Sequence, residues 1–170
     1  MLGALICAMV GAVSDMRARR IPNWLTYGSL LAGLAFRTIL EGWRGLGQGA
    51  AGILAGGGIF FLFYLVRGMG AGDVKLMAAV GAWTGVRQAV VVMIATAVAG
   101  GILGVVYMVF YRRVGSTVRN IGELIRFHLT SGIRPHPEVS LSDPGSIRVP
   151  YGLAIAMGTL YLLMSTFWWG

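Results

Sequence analysis

The chain has 170 residues, of which 56% are hydrophobic and only 12% are charged, and its mean hydropathy is +0.75. Soluble domains carry about 25% charged residues, so this composition excludes an ordinary soluble domain and indicates a membrane protein. The net charge of +8 would suggest a nucleic-acid partner in a soluble protein. In a membrane protein, a charge difference between the two sides is the first explanation to test.

Six apolar stretches predict membrane-spanning helices, so we expect an all-α membrane protein with six transmembrane helices, formed by residues 1–170 as a single domain. The first and fourth stretches are too short to cross about 30 Å of hydrocarbon alone, so they would extend into the headgroups or thin the membrane locally. In chain order the stretches are Met1–Ser14, Asn23–Leu40, Leu46–Val66, Val74–Thr84, Gln88–Tyr111 and Val149–Trp168.

Glycines four positions apart recur inside or at the edges of these stretches, as Gly52/Gly56, Gly81/Gly85 and Gly100/Gly104. Small residues at this spacing let helix backbones approach closely in lipid. The pattern therefore predicts packing surfaces within the chain. A dimerisation face that binds a second copy is the alternative.

The basic residues predict the orientation of the chain. If the N-terminus lies outside, eleven of the fourteen basic residues fall on one side of the membrane. Cytoplasmic loops carry the excess of Lys and Arg, so this side is assigned to the cytoplasm and the protein to the cytoplasmic (inner) membrane. The asymmetry accounts for most of the net charge, so we expect no nucleic-acid partner.

The longest polar stretch, Arg112–Arg148, joins the fifth and sixth predicted spans. Its first half alternates apolar and charged residues with a helical period, which predicts a short cytoplasmic amphipathic helix in the headgroup region. Its second half is rich in proline and reads as an irregular loop. The acids of this stretch, Glu123, Glu138 and Asp143, are interpreted as solvated charges, although they could attract a basic substrate segment.

Two other acids, Asp15 and Asp73, each lie at the boundary of a predicted span. The chain crosses twice between them, so the topology returns both carboxylates to the same membrane face. Two carboxylates at close range share a proton, as in aspartic proteases, where one group takes a proton from water and the other donates to the substrate carbonyl. The alternative is that Asp73 is the N-cap of a helix and that Asp15 pairs with neighbouring arginines.

Three glycines precede Asp73, and Gly70-Ala71-Gly72-Asp73 resembles the GxGD motif of membrane aspartyl proteases. The longer segment GAGDVKLMAAVGAW is similar to the type IV prepilin peptidase family, as are SDMRARRIPNWLTY around Asp15 and Val149-Pro150-Tyr151-Gly152 before the last span. The chain lacks a CxxC pair and any room for a cysteine-rich domain before Asp15. It therefore resembles the compact members of the family that serve tight-adherence (Flp) pili.

The resemblance implies an aspartic endopeptidase, a hydrolase that removes a short basic leader from prepilins or pseudopilins at the cytoplasmic membrane face, in pilus biogenesis or protein secretion. It implies that Asp15 and Asp73 are catalytic, with base and acid unassigned, and that Gly70, Gly72 and Lys75 belong to an active-site loop. For Lys75, contact with a lipid headgroup and tuning of the aspartates are both open.

The same resemblance gives the turn and the last segment a role in substrate positioning, through Pro22, Asn23, Pro150, Tyr151 and Gly152. Asn23 could instead cap the second helix, and Pro150 could simply occupy a helix's first turn. We expect no metal and no other cofactor, since Cys7 is the one cysteine and the two histidines lack supporting ligands.

Two functions from other classes remain as alternatives. A small ion-coupled transporter would use the acids as a cation site, with carboxylates near the bilayer midplane and repeat symmetry. A non-catalytic pilus assembly protein would keep the glycine packing surfaces and tolerate loss of the carboxylates.

Overall fold

The computed structural model describes residues 1–66, 68–111, 115, 122, 123, 126 and 150–169. Five helices account for most of them, which confirms the all-α prediction. The predicted amphipathic helix and loop between residues 112 and 148 lie almost wholly outside the described residues. The helices are α1 (Leu2–Ala18), α2 (Asn23–Leu65), α3 (Ala71–Thr84), α4 (Val86–Phe110) and α5 (Tyr151–Trp169).

The longest helix, α2, is made of two arms that meet at Gly42. At 1.5 Å per residue its 43 residues would extend about 65 Å, twice the thickness of the hydrocarbon layer. Gly42 interrupts it with φ 60° and ψ −142°, a conformation that favours glycine. The arms lie side by side, because a β-carbon on Gly49 would meet the side chains of Leu34 and Arg37. The second and third predicted spans therefore correspond to the two arms of α2, which join at the non-helical Gly42.

The short helix α3 lies at the centre of the fold. Leu76, Met77 and Val80 are fully buried, although α3 has only 14 residues. The second arm of α2 packs against it so closely that a β-carbon on Gly52 would collide with the backbone of Gly81. The prediction of packing surfaces within the chain is thus confirmed for Gly52 and Gly81, whereas a β-carbon on Gly104 would meet nothing within 4 Å.

Long apolar side chains cover the outside of the bundle, as expected for a surface that faces lipid. Trp43 is 85% exposed and Phe110 is 83% exposed. In the part of the chain that is described, α2, α4 and α5 are long and apolar enough to cross a membrane. The 17 residues of α1 and the 14 residues of α3 make shorter helices, in agreement with the shortness predicted for the first and fourth spans.

The helix connections place three chain segments at one end of the bundle. Helix α1 ends there at Ala18, and its C-cap, Arg19, has a left-handed φ of 50° and an amide that donates to the Asp15 carbonyl at 2.8 Å. Pro22 then occupies the N-cap of α2. Helices α3 and α5 both begin at this end. At the far end of α3, the Arg37 guanidinium donates to the Trp83 carbonyl at 3.2 Å and ties that end to α2.

Candidate active site

The two aspartates predicted to act together line a single pocket of about 250 Å³ at this end of the bundle. Asp15 comes from the last turn of α1 and Asp73 from the first turn of α3, 58 positions later in the chain. Lining residues are contributed by the end of α1, the turn before α2, the start of α2, the glycine segment Gly68–Gly72 and the first residues of α3. The full lining is Asp15, Arg19, Arg20, Ile21, Asn23, Gly70, Ala71, Gly72, Asp73 and Lys75.

Asp73 is held by the first turn of its own helix. Its Oδ2 accepts a hydrogen bond from the Gly70 amide at 3.3 Å, and Gly70 is the N-cap. A β-carbon on Gly70 would lie 3.0 Å from this oxygen, so glycine allows the carboxylate to fold back. The N-cap interpretation was thus wrong about the position, but Asp73 does cap the helix from its third residue.

Asp15 is held by a distant part of the chain. Its Oδ2 accepts a hydrogen bond from the backbone amide of Gly152 at 3.0 Å, across 137 positions of sequence. Arg19, one turn further along, adds an electrostatic attraction. The start of α5 therefore holds Asp15 in place, and the positive charge of the neighbouring Arg19 attracts its carboxylate.

The two carboxyl groups differ in their affinity for a proton. Burial, and then the nearby charge of Asp15, raise the pKa of Asp73 from an ordinary 3.8 to about 7, against the opposing effect of the Gly70 hydrogen bond. Burial also raises the pKa of Asp15, but the Gly152 amide and the charge of Arg19 act to lower it. The surroundings therefore favour Asp73 over Asp15 as the carboxyl group that holds a proton shared by the pair.

The glycine segment brings the turn after α1 against the start of α3. A β-carbon on Gly72 would lie 3.2 Å from the Ile21 side chain, so glycine permits this approach. Lys75 donates a hydrogen bond to Asn23 Oδ1 at 2.9 Å and lies 5.3 Å from the ring centroid of Tyr27. Lys75 thus links α3 to α2 on the pocket wall. Asn23 is the first residue of α2 and not its cap, which corrects the preference for a capping role.

The pocket includes six of the ten predicted site residues, and Gly152 reaches Asp15 through its amide. Pro22, Pro150 and Tyr151 are not among the lining residues. Pro150 instead precedes the first turn of α5, where its carbonyl accepts the Leu153 amide at 3.1 Å, and the Tyr151 ring packs against Gly100.

Sequence reasoning interpreted Arg19 and Arg20 as topology signals and, in the alternative interpretation, as partners of Asp15, but it did not predict that they line the pocket. Their place directly after an acid at the end of an apolar helix was the available signal. Among the described residues, no group of three or more His, Cys, Asp or Glu side chains could hold a metal ion. Two unequal carboxyl groups between basic side chains can transfer protons at this pocket.

Several curated proteins with sequences similar to this chain carry the name of a leader peptidase. A prepilin leader peptidase/N-methyltransferase of Aeromonas salmonicida (strain A449) is 35% identical over 98 residues, which are 54% of this chain and 33% of that protein. A protein of the same name from Burkholderia pseudomallei (strain 1026b) is 37% identical over 110 residues, covering 59% and 35% of the two chains. One from Escherichia coli (strain K12) is 32% identical over 114 residues, covering 63% and 50%.

The chain thus spans about a third to a half of the length of these curated relatives. No solved structure matches it. The model of the type IV leader peptidase family matches residues 2–105, a range that contains both aspartates, the glycine segment and all of α1, α2 and α3. This protein therefore belongs to the type IV leader peptidase family.

Proposed function

We propose that this protein is a membrane-embedded aspartic endopeptidase that removes the leader peptide from prepilin-like precursors. The observation that carries the proposal is the convergence of Asp15 and Asp73 on one pocket with unequal proton affinities. An aspartic protease needs one ionised and one protonated carboxyl group at the same site. Family membership supplies the class of substrate.

In the proposed mechanism Asp15 is the base and Asp73 is the acid. The ionised Asp15 takes a proton from a water molecule as the water oxygen attacks the scissile carbonyl carbon, and Asp73 gives its proton to the carbonyl oxygen. The tetrahedral intermediate then collapses: one of its hydroxyl groups returns a proton to Asp73 as the new carboxyl group forms, the C–N bond breaks, and the proton on Asp15 passes to the departing amine, which restores both groups. Each carboxylate uses its Oδ2 for a backbone hydrogen bond, which leaves Oδ1 for water and substrate.

The pocket suits a bond at the edge of a membrane. It opens at the end of an apolar bundle, beside the starts of α3 and α5 and the end of α1. A precursor whose hydrophobic helix lies in the bilayer along the bundle would place the bond before that helix at this level. The substrates proposed here are therefore prepilins or pseudopilins with a basic leader on the side of the pocket.

We further propose that the chain crosses the cytoplasmic membrane six times, with the pocket facing the cytoplasm. The two arms of α2 provide the second and third crossings, while α1 and α3 reach the headgroups at the pocket end. This arrangement puts the eleven basic residues on the inner side. A transporter is not favoured, because the carboxylates lie at a helix end and not near the middle of a span.

The proposal is tested with the purified full chain in liposomes and a candidate prepilin with an intact leader. Mass spectrometry of the products identifies the bond that is cut. We expect a single cleavage immediately before the hydrophobic segment, which releases the basic leader. If the folded protein leaves several different prepilins and pseudopilins intact, the proposed function is refuted.

A further inference from the structure

The first turn of α5 touches the candidate base directly. The first amides of a helix have no partner within the helix, and one of them, from Gly152, donates to Asp15 Oδ2 at 3.0 Å. The preceding residue, Tyr151, begins α5, and Pro150 has no amide hydrogen to compete for the carboxylate. The donor therefore comes from backbone that is fixed in place by the start of a 19-residue helix.

Glycine at position 152 leaves room for this approach. A β-carbon on residue 152 would lie 3.0 Å from the Asp15 β-carbon, 3.1 Å from its Oδ2 and 3.3 Å from the α-carbon of Ala12. Ala12 is buried in α1, and its backbone cannot retreat without moving that helix. The β-carbon of any other residue at position 152 would thus require α5 or the Asp15 side chain to shift by a few tenths of an ångström.

The contact has two consequences for Asp15. A hydrogen bond to one carboxylate oxygen fixes the rotation of the group, so that the other oxygen has a defined direction. The donor also belongs to the positive end of a helix dipole, which favours the ionised form of the acid. The protonated form gains less from the same amide.

We propose that Gly152 is a positioning residue for catalysis, whose backbone amide orients Asp15 as the ionised partner of the pair. This inference rests on the proposed function, and it replaces the substrate-positioning role that the sequence suggested for Gly152. Position 152 acts through Asp15 and is not itself required to touch the precursor.

The kinetic test compares Gly152→Ala with Gly101→Ala in the full chain in liposomes. Gly101 lies on α4, and a β-carbon there would meet nothing within 4 Å, so this control should resemble wild type. For Gly152→Ala we expect kcat to fall at least about tenfold, KM to change by less than about threefold, and the acid limb of the pH–rate profile to move up by about one pH unit. A raised KM with an unmoved acid limb would indicate substrate positioning and overturn the inference.

A second measurement does not need activity. The loss of thermal stability caused by Gly152→Ala is measured at about pH 4 and pH 8, in the wild-type chain and in an Asp15→Asn chain. We expect a larger loss at the higher pH in the wild-type background, where the carboxylate is ionised, and an equal loss at both pH values in the Asp15→Asn background. If Gly152→Ala causes the same loss of thermal stability in the wild-type and Asp15→Asn chains, the inference is overturned even if prepilins are cleaved. If the expected difference in stability loss is seen but no prepilin is cleaved, the proposed function is refuted and the inference about Gly152 is not.

Discussion

Replacing Asp73 with Asn should stabilise the protein at alkaline pH and have little effect in acid. The pKa of Asp73 is raised from 3.8 to about 7, so the folded protein binds this proton more tightly than the unfolded chain. The associated stability is fully present below pH 3.8 and is lost as the pH rises to about 7. Three pKa units correspond to about 4 kcal/mol. Since Asp73 is only partly buried and borders an open pocket, we halve this to about 2 kcal/mol.

Asparagine imitates the neutral carboxyl group, so Asp73→Asn should raise the melting temperature by about 4–8 °C at pH 8 and by much less at pH 4. A thiol-reactive dye can follow unfolding in detergent, because Cys7 is the single cysteine of the chain and is buried. Glu41→Gln is the matched control. This carboxylate accepts from Arg37 at 3.1 Å at the other end of the bundle, and its removal should give no gain. A gain from Asp73→Asn that is equal at both pH values, or absent at both, would refute the reasoning.

Three further predictions concern single sites. Arg19→Gly should leave stability within about 1 kcal/mol of wild type, because glycine adopts the left-handed φ of 50° without steric cost. The same variant should move the acid limb of the pH–rate profile upward, since a positive charge near Asp15 is lost, and an unmoved limb would contradict this. Gly81→Ala should lower the free energy of unfolding by about 3 kcal/mol or more, because the methyl group would collide with the facing arm of α2. Gly58→Ala is the control, because a β-carbon there meets open space and the variant should be nearly neutral. Equal melting temperatures for the two variants would show the packing argument to be wrong. Finally, kcat/KM for leader cleavage should fall as the pH rises through about 7 and Asp73 loses its proton, and a profile that stays flat up to about pH 9 would count against Asp73 as the acid.

The sequence predicted the helical segments and the proximity of the two acids because both depend on simple rules. Apolar stretches of sufficient length form helices in a membrane, and an even number of crossings returns the chain to the same face. These rules brought Asp15 and Asp73 together without any knowledge of their contacts. The glycines before Asp73 also had a readable reason, since backbone approaches closely there.

The contacts that adjust the site could not be predicted in the same way. The bond between Gly152 and Asp15 joins residues 137 positions apart and depends on how α1 packs against α5, which no local pattern encodes. The left-handed conformation of Arg19 is unusual for a residue with a side chain. The sequence predicted separate spans on either side of Gly42, but not the backbone conformation at which the two arms join. Assignment to the compact tight-adherence type stays a prediction.

The central claim, that the two carboxyl groups act as one catalytic unit, is tested most directly by leader removal in Asp15→Asn, Asp73→Asn and the double variant. Each protein is reconstituted with the same prepilin after its fold has been verified by thermal unfolding. We expect each single variant to lose about a thousandfold or more in rate, and the double variant to be no slower than either, since groups that act together are not additive. Cleavage at the wild-type rate by either folded single variant would contradict the account.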